Sequence, residues 1–116
     1  MSERTPQVDH SAVADEINES VNYTMYAVFR EDRRSAPPGE AAVRGIEDRL
    51  ARIEGLAVRG WYDVSGFRAD ADLLLWLHAP APEALQQGYR AVLEGAGGRL
   101  APVWSNIGVH RAAEFN

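Results

Sequence analysis

Side-chain character alternates through residues 23–29: Tyr23, Met25, Ala27 and Phe29 fall on one side, Thr24, Tyr26 and Val28 on the other. A period of two with aromatic and β-branched residues on both sides predicts a strand with both faces largely covered. Beyond the polar stretch 31–39 the period changes. Val43, Ile46, Leu50 and Ile53 recur in steps of three and four opposite Glu40, Arg44, Glu47, Asp48, Arg49 and Arg52, which predicts an amphipathic helix ended by Gly55. Within it, Glu40 and Arg44, and Asp48 and Arg52, have the spacing of i,i+4 ion pairs.

Residues 56–63 predict a second strand, residues 64–70 a connection containing Ser65-Gly66, and residues 71–78 a third strand, so that the two strands form an antiparallel hairpin. Pro80 and Pro82 stop the third strand and open a helix, because proline in the first helical turn loses no hydrogen bond. Leu85, Tyr89, Val92 and Leu93 give that helix its apolar side, and the run Gly95-Ala-Gly-Gly98 ends it. In a fourth strand Val103, Ser105, Ile107 and Val109 alternate with Trp104, Asn106, Gly108 and His110. The order is βαββαβ, a ferredoxin-like α+β fold with two helices on one face of a four-stranded antiparallel sheet. Residues 1–20 carry few large apolar groups and read as a mobile lead-in, with a short helix or extended stretch over residues 15–21 anchored by Ile17 and Val21. Residues 21–116 form the single domain.

A sheet covered by helices on one side leaves its other side bare. Tyr23, Tyr26, Trp61, Tyr62, Trp76 and Trp104 all lie on predicted strands. An apolar face of that size is seldom left in water, so a second sheet is expected to pack on it, from another copy of the chain or from a following domain.

Composition narrows the function classes. The 116 residues suit one domain with a usable core. A formal charge of −5 and a pI near 5.1 argue against non-specific binding to nucleic acid or anionic membranes, which requires an excess of clustered cations. With no cysteine, the chain has no disulfide, thiolate metal site or thiol nucleophile. Neither a secretory signal nor an apolar run long enough to span a bilayer is visible, which makes cytoplasmic residence the expectation.

Few residues offer chemistry. His78 and His110 on strands could serve as haem ligands or proton-transfer bases, or could simply hydrogen-bond locally; no second His, Asp or Glu falls at ligand spacing, which favours the local role. His10 lies in the lead-in. Asp70-Ala-Asp72 lacks the further positions of a calcium loop and reads as a loop and strand-start cap. Arg59 and Arg68 read as members of a structural ion-pair network rather than an anion site. The tyrosines and tryptophans could be oxidisable groups near a haem, with core packing the better account. The glycine run follows a helix instead of preceding one and is no phosphate loop, and no serine stands in a nucleophile elbow.

Three blocks carry a family resemblance: Asn22-Tyr-Thr-Met-Tyr-Ala-Val-Phe-Arg30; Val58-Arg-Gly-Trp-Tyr-Asp-Val-Ser-Gly-Phe-Arg-Ala-Asp-Ala-Asp72; and Pro102-Val-Trp-Ser105 through His110-Arg111 to Glu114-Phe-Asn116. Together they resemble the first half of actinobacterial-type coproheme decarboxylases, members of the chlorite dismutase family. The resemblance covers residues 18–116. It implies a haem-biosynthetic oxidoreductase that uses peroxide to remove two propionate carboxyls from iron-coproporphyrin. It also implies subunits made of two ferredoxin-like units whose sheets pack into one barrel, with the haem-binding His and catalytic Tyr in the second half, beyond Asn116. By resemblance Asn116, beside Phe115, borders a linker near the haem entrance and is the one cofactor-binding candidate here. Where the family reads His-Arg-Pro-x-Glu-Phe-Asn, this chain has His110-Arg-Ala-Ala-Glu-Phe-Asn116, which frees φ at position 112.

Three readings follow. The chain is the N-terminal half of a coproheme decarboxylase relative, needing a second half or subunit and a haem or coproheme cofactor. Alternatively it is a stand-alone dimeric α+β barrel that holds a small ligand or acts as a cofactor-free oxygenase. Lastly, it is a non-catalytic scaffold whose open face binds a partner.

Overall fold

The structure is a computed structural model, and it describes residues 21–111. The expected lead-in with Ile17, and residues 112–116 with Asn116, lie outside the described residues. The elements are β1 (Asn22–Glu31), α1 (Glu40–Ala51), β2 (Ala57–Arg68), β3 (Ala71–Ala79), α2 (Pro82–Ala96) and β4 (Leu100–His110). The sheet order is β2-β3-β1-β4, and each neighbouring pair is antiparallel. This is the ferredoxin-like arrangement expected from the periodicity.

The core lies between the sheet and the helices. Met25, Ala27 and Phe29 of β1 and Leu75, Leu77 and Ala79 of β3 are buried against Ile46, Leu50, Leu85, Ala91 and Val92 of the helices. Each buried strand residue sits two positions from the next, and each buried helix residue sits on the stripe of three- and four-residue steps, so the two periods meet on one surface. Small residues bring α2 close to the sheet. A side-chain carbon at Gly88 would lie 3.0 Å from Leu56 and 3.1 Å from Leu77. Gly97, at φ 60° and ψ 36°, then ends the helix in the left-handed conformation that glycine adopts without strain.

Strand β1 is covered on one face only, where both faces were expected to be largely covered. Met25, Ala27 and Phe29 are buried, while Tyr26 is exposed and Val28 half-buried on the other side. The hairpin is also longer than expected. Residues 64–68, read as a connection, belong to β2, and the turn is Ala69-Asp70 between the paired Arg68 and Ala71. Ser65-Gly66 marks an irregularity in the ladder, with Gly66 at φ 87°, rather than the turn itself. Two further irregularities lie between Val58 and Gly60 of β2 and between Val28 and Phe29 of β1; the latter pairs Val28 with Trp104 and Phe29 with Pro102, so Val103 drops out of the alternation expected for β4.

Charged groups bind loops to strands. Arg99 reaches Glu31 Oε2 at 3.0 Å and donates to the Ser35 carbonyl at 2.7 Å, while Asp72 Oδ2 accepts from the Glu31 backbone N–H at 2.8 Å. Asp72, at the start of β3, thus ties the end of the neighbouring β1. Arg68 pairs with Asp70 through two hydrogen bonds of 2.9 and 3.0 Å. Arg49 of α1 pairs with Glu94 of α2 at 3.0 Å, whereas the expected pairs within α1 are not formed among the described residues.

The helix contact yields a paired prediction. A side-chain carbon at Gly95 would overlap Ile46 Cγ1, whereas one at Gly45 meets open space. Gly45→Ala should stabilise the fold by about 0.5–1 kcal/mol through helix propensity. Gly95→Ala should destabilise it by about 1 kcal/mol, because overpacking of typically 1–3 kcal/mol outweighs the same propensity gain. Urea midpoints of both variants that move in the same direction would contradict this account.

Candidate functional site on the uncovered sheet face

Register decides which aromatic residues share a surface. Tyr62 pairs with Leu74, Trp76 with Tyr26, and Val28 with Trp104, which puts these side chains on the face opposite the helices. Trp61 pairs with the fully buried Leu75 and therefore faces the helices, and Tyr23 packs against the core. The six strand aromatics thus divide into four on the open face and two on the helix side. A register step of one residue would have reversed them.

The open face has two chemically different ends. Near the β2–β3 turn, Val28, Val64, Phe67, Leu74, Val103 and Trp104 line an apolar concavity of roughly 370 Å³, with Phe67 82% exposed and Trp104 53% exposed. The other end is rich in hydrogen-bond donors. Tyr26 stacks on Trp76 with ring centroids 5.7 Å apart, and the Arg59 guanidinium lies 5.2 Å from the centroid of the same indole. Arg59 is therefore a cation–π partner of Trp76 rather than a member of the expected ion-pair network. Trp76 Nε1 is buried with no acceptor among the described residues, a deficit of about 1–3 kcal/mol if nothing else supplies one. Tyr62 folds back so that a side-chain carbon at Gly60 would meet its hydroxyl at 2.5 Å; the bare α-carbon accommodates the ring.

His78 and His110 meet at this end. His78 stands opposite Thr24 on one side of β1, and His110 stands opposite Asn22 on the other. Their rings lie 6.0 Å apart, centroid to centroid, at 70°. Sequence spacing gave no sign of this pairing, because the two strands are separated by β1 and far apart in the chain. Asn116 and Phe115, the residues suggested by resemblance, lie outside the described residues.

Partial burial pushes the His78 imidazole below the ordinary histidine range, and the charges of Arg59 and His110 push it the same way. A base with a lowered folded pKa favours the fold fully above its ordinary value of about 6.5, and that contribution is lost as pH falls from there through the folded value. Proton NMR titration of the His78 ring should give a midpoint below 6.5, with Arg59→Gln and His110→Gln each raising it. A His78 midpoint above the ordinary value would refute the assignment of causes.

The fold and this face can be set beside known proteins. The family profile described as chlorite dismutase matches residues 39–116. Coproheme decarboxylase of Mycolicibacterium smegmatis is 40% identical over 116 residues, covering 88% of this chain and 46% of that enzyme, so the chain spans about half the length of this curated relative. Chlorite dismutase from Candidatus Nitrospira defluvii, solved in complex with imidazole, superposes with a TM-score of 0.60 at 22% identity over 84% of this chain and 43% of the other. A variant of that enzyme in complex with cyanide gives a TM-score of 0.59 at 23% identity over 76% and 39%. At those identities the structural likeness speaks for the fold. Family membership rests on the profile and on the sequence relative: the chain belongs to the chlorite dismutase family.

Proposed function

We propose that this chain supplies the N-terminal sheet of a coproheme decarboxylase-type barrel in haem biosynthesis, and that its uncovered face packs on a second ferredoxin-like half. The observation that carries the reading is the open face itself, in a chain that spans 46% of a relative named for coproheme decarboxylation. Burying the exposed parts of Tyr26, Phe67 and Trp104 under a second sheet would recover roughly 25 cal/mol for each Å² of apolar surface removed from water.

The described residues do not fit a haem macrocycle by themselves. The apolar concavity has no imidazole or phenolate among its lining residues to bind iron. The two histidines face each other across β1, so a macrocycle ligated by both would have to stand through that strand. In this reading the second half holds the porphyrin. The role of the present residues is to close the barrel, exclude water from one side and fix the second sheet by shape. No proton or bond change is assigned to His78, Arg59 or any tyrosine here.

A second reading is favoured by one observation. The concavity of roughly 370 Å³ falls within the range of small-molecule sites, so two copies of the face could enclose an apolar ligand without haem.

Two measurements test the proposal. Titrating the purified chain with iron-coproporphyrin should give no stoichiometric Soret change and no loss of carboxyl groups on adding peroxide. A saturable Soret shift abolished by His78→Ala or His110→Ala would overturn the assignment of the porphyrin to the other half. Light scattering at micromolar concentration should give a mass of at least a dimer, because an unpartnered chain covers its face with a second copy. Leu74→Glu, which places a charge on the half-buried open face, should return the mass to that of a monomer with unchanged circular dichroism. A monomeric unmodified chain would sink the claim that this face is built for a second sheet.

A further inference from the structure

We propose that the cleft between α1 and the helix side of the sheet binds a small aromatic amine of one or two fused rings. The cleft lies on the opposite side of the sheet from the uncovered face and does not depend on what packs there. It originates in the way the helices pack on each other. The bare α-carbon of Gly95 admits Ile46, and Arg49 pairs with Glu94, so α1 is drawn onto α2. On its other side α1 leaves β2 and β3 incompletely covered. Val43 belongs to the apolar stripe of α1, and Trp61 pairs with the buried Leu75, yet both line this gap and each is 42% exposed. A space of roughly 330 Å³ remains, backed by Ile46, Leu73, Val92 and Leu100. That volume is at the lower end of the range of small-molecule sites, which suits one or two rings and little more.

The lining selects the ligand. The Trp61 indole gives an aromatic ring a surface to stack on, and its π-face attracts a cation. Charged groups at the rim then decide the sign. Arg99 donates to Glu31 Oε2 at 3.0 Å and to the Ser35 carbonyl at 2.7 Å, and Arg33 reaches Glu31 Oε1 at 3.0 Å and Asp72 at 3.9 Å. These two cations and two acids compensate one another. Glu47, one turn along α1 from Val43, has no hydrogen bond or ion pair among the described residues. It is the uncompensated charge of the lining, so it favours an ammonium group and disfavours a carboxylate carried on the same ring. The hydrocarbon body sits in the cleft and the ammonium stays at the rim beside Glu47. Affinity is modest, because Glu47 is exposed and its field is screened by salt.

The test follows the tryptophan indole N–H signals of the untagged full chain by NMR, with the Trp61 signal assigned through Trp61→Phe. Naphthylmethylammonium should move the Trp61 signal saturably with a Kd on the order of 0.1–1 mM, while naphthylacetate should bind at least ~5-fold more weakly. Glu47→Gln should reduce that preference to less than ~2-fold. Val43→Trp puts a larger group at an exposed position on the cleft and should abolish the Trp61 shift for both probes. Leu74→Glu, on the opposite face of the sheet, should leave amine binding unchanged. Absence of a saturable Trp61 shift up to about 5 mM amine would overturn the proposal, as would equal or tighter binding of the acetate. Shifts confined to Trp76 and Trp104 would do the same, because they place the probe on the uncovered face. The comparison of the two probes on the unmodified chain decides the matter even if Val43→Trp fails to fold.

Discussion

The structure depends on an asymmetry: both helices lie on one side of a four-stranded sheet. Strand side chains alternate between faces, so every residue that feeds the core between sheet and helices commits its neighbour to the other side. Burying Met25, Ala27, Phe29, Leu75 and Leu77 thereby presents Tyr26, Val28, Leu74 and Trp76 to the uncovered face. The sequence is apolar at both sets of positions, more so than a half-solvated sheet needs. The fold resolves one set internally and leaves the other uncovered.

The layout of the fold was legible from periodicity because helix and strand periods were clean and glycine and proline punctuated them. Gly97 at the end of α2 and Pro82 at its start act as their residue types suggest. The facing of the aromatics was not legible. Trp61 and Tyr62 are adjacent and chemically alike, and only pairing with Leu75 and Leu74 sends one to the helices and the other to the open face. The β2–β3 turn was misplaced for a related reason: Ser65-Gly66 carries a turn signature, yet Arg68 and Ala71 pair across Ala69-Asp70 and absorb the glycine as an irregularity inside the strand. Chemistry between distant strands was least visible of all. Spacing along the chain cannot reveal two histidines that meet across an intervening strand.

Arg59 shows how a single side chain changes meaning once neighbours are known. In sequence it stands among acids and suggests an ion pair. In the structure the irregularity between Val58 and Gly60 lets it turn over the Trp76 indole, where it gains a cation–π contact and depresses the protonation of His78. Asp70 and Asp72 lie at the other end of the hairpin, engaged by Arg68 and by the Glu31 backbone. A cation, an indole N–H without an acceptor among the described residues and two imidazoles are thus gathered at one end of a face whose other end is hydrocarbon.

That polarity constrains whatever lies opposite. Packed sheets stand about 10 Å apart, so facing side chains interdigitate and little water remains between them. Opposite Val28, Leu74, Val103 and Trp104 the complement must be apolar and must fill or share the concavity, since a polar group there would lose its water without gaining a partner. Opposite Arg59 the requirement reverses: covering a guanidinium without an acceptor costs more than the apolar burial beside it returns, so the complement must bring a carboxylate, carbonyl or hydroxyl to that end or leave it open to solvent. Apolar area alone would accept many partners in many orientations. The donor-rich end removes most of them, because sliding or rotating the covering sheet strands the charge, and it is this end that turns a sticky surface into a specific one.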